Sequence, residues 1–310
     1  PMWNSRLEIH RLVTFRGDVS AKSLNELGDP LRTIQWNLSA PEQRNFLLTN
    51  TAFNNNSPVI ERRDGCLQPW GHTPDKVETF KTHFNDVRRT ILNLQHCIRD
   101  DPSKKLLTAL CEGLPTLVNL TTLNVSRNWL DDTDVVKIRN ALNAPKLVSL
   151  DVSENRIGPD GASHVANMAI VAESSLRKIL IGRNRLTDLG TTKLCDELGQ
   201  NAVIKVQELD FSSNDIGPNG ATAVVNLCAA KASLTSLNLS DNQLCGLNHY
   251  GQGTYTTEGI TAVADSLRVS ASLTSLDLSK NALCGVMYGL GTYTTEGIKA
   301  IADALRVSAS

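Results

Sequence analysis

From about residue 120 onward the apolar positions keep one register: an apolar residue, two variable, an apolar residue, one variable, an apolar residue, two variable, Asn, one variable, an apolar residue. It reads Leu120, Leu123, Val125, Asn128, Leu130, then Leu147, Leu150, Val152, Asn155, Ile157, then Leu176, Ile179, Ile181, Asn184, Leu186. Three further copies follow: Val206, Leu209, Phe211, Asn214, Ile216; Leu234, Leu237, Leu239, Asn242, Leu244; and Leu273, Leu276, Leu278, Asn281, Leu283. Two apolar residues separated by one position predict a short strand with both side chains on one face. The intervening segments carry helical spacing, as in Val135, Ile138, Ala141 and Leu142, or Ile260, Val263, Ala264 and Leu267. Strand and helix repeated in this way predict an α/β solenoid, with parallel strands concave, helices convex, and each coil burying its apolar face against the next. The amides of Asn128, Asn155, Asn184, Asn214, Asn242 and Asn281 are expected to satisfy backbone groups where the chain leaves each strand.

The Asn-to-Asn intervals are 27, 29, 30, 28 and 39 residues, and two helix starts share the pattern Gly-x-x-Gly-Ala, at Gly158 to Ala162 and Gly217 to Ala221. On these residues the chain resembles the leucine-rich repeat family and, within it, the ribonuclease-inhibitor-like subclass, over roughly residues 103 to 310. The resemblance implies a curved solenoid. It leaves function open, since inhibitors, GTPase activators, innate-immune sensors, actin-binding and axonemal proteins share the fold. It also implies that Cys97 can stand in the Asn position of a degenerate coil, with Leu92-Asn93-Leu94 as strand and Ser103 to Leu114 as helix. A single helix from Asp75 to Ile98 competes with that reading, because Val77, Phe80, Phe84, Val87, Ile91, Leu94 and Ile98 follow helical spacing.

The domain boundaries expected are 1–74, an irregular N-terminal arm or cap; 75–118, an N-terminal helix and degenerate first repeat; and 119–310, six repeats. Residues 1–74 leave room for short strands near Leu12 to Phe15 and Ile34 to Leu38 and short helices near Ala21 to Leu27 and Pro41 to Thr49, and are expected to cap the first coil. The last interval is long because Cys245 to Tyr255 adds a Gly- and Tyr-rich insert, repeated at Cys284 to Tyr293. Ser310 falls where another strand would begin. That predicts further repeats or a partner against Ile298, Ile301 and Leu305.

Composition narrows the function classes. With 41% apolar and 20% charged residues the chain can bury a core. Lys plus Arg number 31 against 32 Asp plus Glu, so net charge offers no chain-wide attraction to nucleic acid or anionic membrane, and none is expected as partner, while a local basic patch stays open. No apolar run approaches the roughly 18 residues of a membrane span. Seven widely spaced Cys without a CxxC pair, and no signal-like apolar stretch in Pro1 to Arg16, predict reduced thiols in an intracellular compartment, cytoplasmic or organellar.

No catalytic, cofactor-binding or metal set emerges. Cys66, His72, His83, His96 and Cys97 lack the paired spacing of zinc ligands. Gly251-Gln252-Gly253 and Gly289-Leu290-Gly291 lack the Lys-Ser/Thr continuation of a phosphate loop. Binding is the remaining chemistry, and interface anchors favour Trp, Tyr and Arg. Arg127, Arg177 and Arg183 on the strand side, Trp3, Trp36 and Trp70 in the arm, and Tyr250, Tyr255, Tyr288 and Tyr293 in the inserts are the candidates. The reading is a non-enzymatic protein-interaction scaffold, an accessory or structural subunit of a larger assembly, touching other subunits through the arm, the C-terminal end and the inserts. The alternative is a GTPase activator of the Ran type, for whose catalytic Arg no position-by-position match is found.

Overall fold

The computed structural model describes residues 12–14, 77, 81, 84, 86–99, 101–172, 175–270, 272–287 and 289–308. Seven strands run parallel in chain order: β2 (Ile91–Asn93), β3 (Thr122–Asn124), β4 (Ser149–Asp151), β5 (Lys178–Leu180), β6 (Glu208–Asp210), β7 (Ser236–Asn238) and β8 (Ser275–Asp277). Each is followed by a helix on the other side of the coil: α1 (Lys105–Gly113), α2 (Asp132–Ala141), α3 (Pro159–Ala172), α4 (Thr187–Gln200), α5 (Pro218–Ala230), α6 (Glu258–Val269) and α7 (Glu296–Ser308). This is the leucine-rich-repeat solenoid. The pairing register equates Leu92, Leu123, Leu150, Ile179, Leu209, Leu237 and Leu276, all buried. Helix residues Val135, Ile138, Val165, Leu194, Val224, Ile260 and Val263 close the same core from the convex side.

Local chemistry sets the helix starts. Asp131 caps α2, its carboxylate accepting the Asp134 N–H at 3.1 Å while Asp134 reaches back to the Asp131 N–H, and Pro218 sits at the start of α5, where its missing N–H costs nothing. Two helices borrow their caps from the coil before. Asp132 Oδ1 accepts from Gly158 N–H at 2.6 Å, and Asp188 Oδ1 accepts from Gly217 and Gly220 N–H at 2.6 and 2.9 Å.

The strand at Ile91–Asn93 makes a single helix through Ile98 impossible, and Cys97 occupies the turn position that Asn fills in later coils. Val77, Phe84 and Val87 belong to the segment that closes the first coil: Phe84 is buried against Gly113, Thr116 Oγ1 donates to Phe84 O at 3.4 Å, and Asn119 Nδ2 to Val87 O at 3.1 Å. With that face already covered, the described part of the arm lies elsewhere. β1 (Leu12–Thr14) pairs in parallel with β8 at the opposite end of the sheet, where it supplies the backbone partners that an edge strand needs. The expectation that the arm caps the first coil is corrected for this segment; the remainder of 1–74 lies outside the described residues.

A second correction concerns the last coil. Ile298 and Ile301 are 2% and 0% exposed, packed inward on α6, and the residues of α7 left partly open are Ala302 and Leu305, whose counterparts Ala264 and Leu267 in α6 are buried. A helix in a stacked array has one apolar flank for each neighbour, and Ile298 and Ile301 serve the preceding one.

Candidate interaction surface

Rigidity of the arc comes from the strand exits. Asn184 is buried, and its Nδ2 donates to Ile181 O at 3.0 Å and Gly182 O at 3.3 Å in its own coil and to Val152 O at 3.1 Å in the coil before. Its Oδ1 accepts from Ile157 N–H at 3.0 Å. Asn128, Asn155, Asn214, Asn242 and Asn281 are likewise buried and donate to both coils, as in Asn155 to Val125 O at 3.1 Å and Asn214 to Ile181 O at 3.0 Å. The residue before each of them, Arg127, Glu154, Arg183, Ser213, Asp241 and Lys280, has φ of 60, 53, 55, 51, 58 and 55°, and His96 before Cys97 has 65°. These left-handed, non-Gly residues are strained by about 1 kcal/mol each, so the amide bonds hold every turn in a conformation the chain would otherwise leave.

The third residues of the strands form a concave row: Asn93, Asn124, Asp151, Leu180, Asp210, Asn238 and Asp277. Each polar member accepts from the N–H two residues on, as Asp151 from Ser153 at 3.0 Å and Asp210 from Ser212 at 2.9 Å. Burial raises the Asp210 pKa above the usual carboxylate range, and the charge of Asp277 adds to this, while the Ser212 bonds and Lys178 oppose it. Asp151 shifts the same way, burial first and the charge of Asp210 adding. Lys178 pairs with Glu208 at 2.9 Å beside them. The middle of the bowl is thus acidic, with Asp151, Asp210 and Glu208 gathered around Lys178.

The rim at the strand exits differs. Trp129, directly after Asn128, is 45% exposed, with the Arg99 guanidinium 4.4 Å and the Arg156 guanidinium 4.8 Å from its ring centroid. Arg127 binds Glu154 at 2.8 Å and Arg183 approaches the same carboxylate at 3.9 Å, while Arg177 turns to Leu176 O at 2.9 Å. Trp129, Arg99 and Arg156 were not among the candidates from sequence. The available signal was position: Trp129, Arg156 and Arg185 each follow a turn Asn in three successive coils.

The inserts are stacked loops. Leu247 bridges Gly253 in the first, and β9 (Val286–Met287) and β10 (Leu290–Gly291) form a hairpin in the second. Gly253 and Gly291 have φ of 124 and 109°, and a Cβ on either would collide with the carbonyl oxygen of Gly246 or Gly285, which accounts for these glycines without a phosphate. Tyr255 is half-buried and donates to Leu283 O in the next coil at 3.1 Å, and burial, aided by the charge of Cys245, pushes its pKa up to about 12. Tyr250 and Tyr293 are exposed. Trp3, Trp36, Trp70 and Tyr288 lie outside the described residues.

Elsewhere, a shallow convex groove lined by Asn167, Glu197, Gln200 and Asn201 is crossed by a 3.0 Å bond from Asn167 to Glu197. Burial pushes the thiols of Cys228 and Cys245 up to about 12 and that of Cys195 well above its ordinary value, so none is a thiolate at neutral pH. Among the described residues no three His, Cys, Asp or Glu side chains converge as metal ligands, and no helix is long and apolar enough to cross a membrane.

Sequence comparison matches the same coils. The Leucine Rich repeat family model covers residues 116–138, 143–166, 204–225 and 230–244. RAN GTPase-activating protein 2 of Arabidopsis thaliana is 31% identical over 117 residues, 36% of this chain and 21% of that protein. Leucine-rich repeat serine/threonine-protein kinase 1 of Mus musculus is 30% identical over 149 residues, 46% of this chain and 7% of the kinase. The mouse NACHT, LRR and PYD domains-containing protein 14 is 29% identical over 143 residues, 45% of this chain and 14% of that protein. The match therefore spans 21% or less of each of these relatives' length, and the likeness is one of repeats. Matching repeats, a parallel sheet of one-strand coils and a buried Asn at six of the seven strand exits together make this chain a leucine-rich repeat protein, and its repeats a protein-interaction domain.

Proposed function

We propose that this chain is a non-enzymatic scaffold, an accessory or structural subunit whose rigid arc positions other proteins. The observation that carries the reading is the inter-coil bonding: each turn Asn ties its own coil to the one before, so that side chains on rim and inserts keep fixed spacing over seven coils. A rigid surface loses little conformational entropy on binding. Partner contact through the N-terminal arm, with Trp3, Trp36 and Trp70, and through the exposed Tyr250 and Tyr293 belongs to this reading. Affinity purification of the full chain followed by mass spectrometry is expected to recover a defined set of partners, and removal of residues 1–74 to weaken that set while the repeats stay folded. A truncated chain that keeps every partner would overturn the role of the arm, and a full chain that recovers none would overturn the scaffold.

The similarity to an Arabidopsis RAN GTPase-activating protein supports a second reading, activation of a Ran-type GTPase. GTP hydrolysis by such a GTPase, measured with and without the full chain, decides between the two; a stimulation of several orders of magnitude would establish the second.

A further inference from the structure

We infer that the rim built by Arg99, Trp129, Arg156, Arg183 and Arg185 is a docking surface for an acidic segment of a partner protein; the inference rests on the interaction-scaffold reading and names the chemistry of one partner. Three features converge. The first is aromatic: Trp129 is 45% exposed and flanked by a guanidinium from the coil before and another from the coil after. Arg99, whose Nη1 also lies 3.4 Å from the His96 ring, closes one side of the indole, and stacking holds the exposed Arg156 fork in place, so it presents N–H pairs to a carboxylate with less entropy left to lose.

The second is an excess of positive charge in a chain whose net charge is −1. Glu154 answers Arg127 at 2.8 Å and stands 3.9 Å from Arg183. Arg156, Arg183 and Arg185 are exposed, and Arg156 and Arg185 have no carboxylate partner among the described residues. The third is spacing. At this point the coils are joined by backbone bonds, Arg156 N–H to Leu130 O at 2.9 Å and Arg185 N–H to Ile157 O at 2.8 Å, so Trp129, Arg156 and Arg185 rise from adjacent rungs. The basic run stops at Asp215, which occupies the same place in the next coil and accepts from Gln243 at 2.9 Å.

Carboxylates suit this surface better than a polynucleotide. A base needs a free ring face to stack on, and Trp129 has guanidinium groups against it. A polyanion crossing the arc would also meet Asp151, Glu208 and Asp210 in the bowl beside the rim. A short acidic segment with one apolar side chain against the indole edge fits the available donors.

The test uses the full chain and fluorescence anisotropy with a labelled dodecapeptide of alternating Glu and Asp around a central Leu. Controls are the same peptide with Gln and Asn for the acids, and single-stranded RNA of twelve nucleotides. The acidic peptide is expected to bind, to weaken as salt rises, and to lose about tenfold or more in affinity in Arg156→Glu/Arg185→Glu. Trp129→Ala should weaken it several-fold, and Lys193→Glu on the convex face should leave it unchanged. Arg156 and Arg185 are exposed, so the charge-reversed chain is expected to keep its melting temperature. Equal binding of the acidic and amide peptides, insensitivity to Arg156→Glu/Arg185→Glu, or tighter binding of the RNA would each overturn the inference. Failure here with partner capture intact in the charge-reversed chain removes the rim and leaves the scaffold standing; absence of any partner for the unaltered chain removes the scaffold itself.

Discussion

Replacing Asn184 by Ala tests what holds adjacent coils together, and the structure allows its cost to be worked group by group. The Asn184 side chain accepts from Ile157 N–H and donates to the carbonyls of Val152, Ile181 and Gly182. The carbonyls do not become orphans: Val152 O still receives Asn155 Nδ2 at 3.0 Å, Ile181 O receives Asn214 Nδ2 at 3.0 Å, and Gly182 O receives Glu154 N–H at 2.8 Å. Ile157 is different. The residue is 0% exposed and its N–H has Asn184 Oδ1 as acceptor, so the substitution buries a donor without a partner, which costs about 1–3 kcal/mol. Release of the left-handed turn at Arg183 offsets part of this. The net expectation is about 2 kcal/mol, a fall in melting temperature of roughly 4–8 °C for an array of this size. Thermal and urea unfolding followed by circular dichroism measure the loss, and hydrogen exchange at the Ile157 amide locates it. Asn184→Asp is the control: it keeps an acceptor for Ile157 but offers the carbonyls of Val152 and Ile181 a charge in place of a donor, so it should destabilise at least as much at neutral pH. An Ala variant that melts within about 1 °C of the parent, with Ile157 exchange unchanged, would refute the reasoning.

Asp210→Asn should raise the melting temperature at neutral pH, because burial raises the folded-state pKa and ionisation therefore opposes folding there; the advantage should shrink as pH falls through the folded pKa, where the parent carboxyl takes up its proton. Asn124 and Asn238 fill the equivalent place with the same bond to the N–H two residues on, at 2.9 and 3.0 Å, so the exchange is sterically accommodated. Tyr255→Phe should remove a tyrosinate absorbance transition near pH 12. In the parent the raised pKa stabilises the fold fully below about pH 10 and loses that effect as pH rises toward 12, so a variant with unaltered alkaline unfolding would contradict the placement. Asp188→Ala should cost about 1–2 kcal/mol by uncapping α5 across the coil boundary, read by urea denaturation; Asp188→Asn, which keeps an acceptor, should recover most of it.

What the sequence by itself determined was everything set within one coil. The apolar register places the middle residue of each strand, from Leu123 to Leu276, and the buried Asn beyond it, because a strand of period two and a tight exit turn are local requirements that one coil's residues must meet. The Gly-rich inserts announced themselves as departures from the same period. What only the tertiary structure decided was which side chains of different coils meet. Arg99, Trp129 and Arg156 are separated by 30 and 27 residues, Asp188 and Gly217 by 29, and Asp151 and Asp210 by 59, with Lys178 between them. Such contacts depend on how intervals of unequal length stack, and a residue of stagger would exchange a stacked Arg for a solvated one. The same reason governs the ends. Periodicity marks Ile298, Ile301 and Leu305 alike as apolar, but only the direction of stacking gives the first two to α6 and leaves Leu305 partly buried on the other flank, since a helix between two neighbours carries two apolar faces that one sequence pattern does not tell apart.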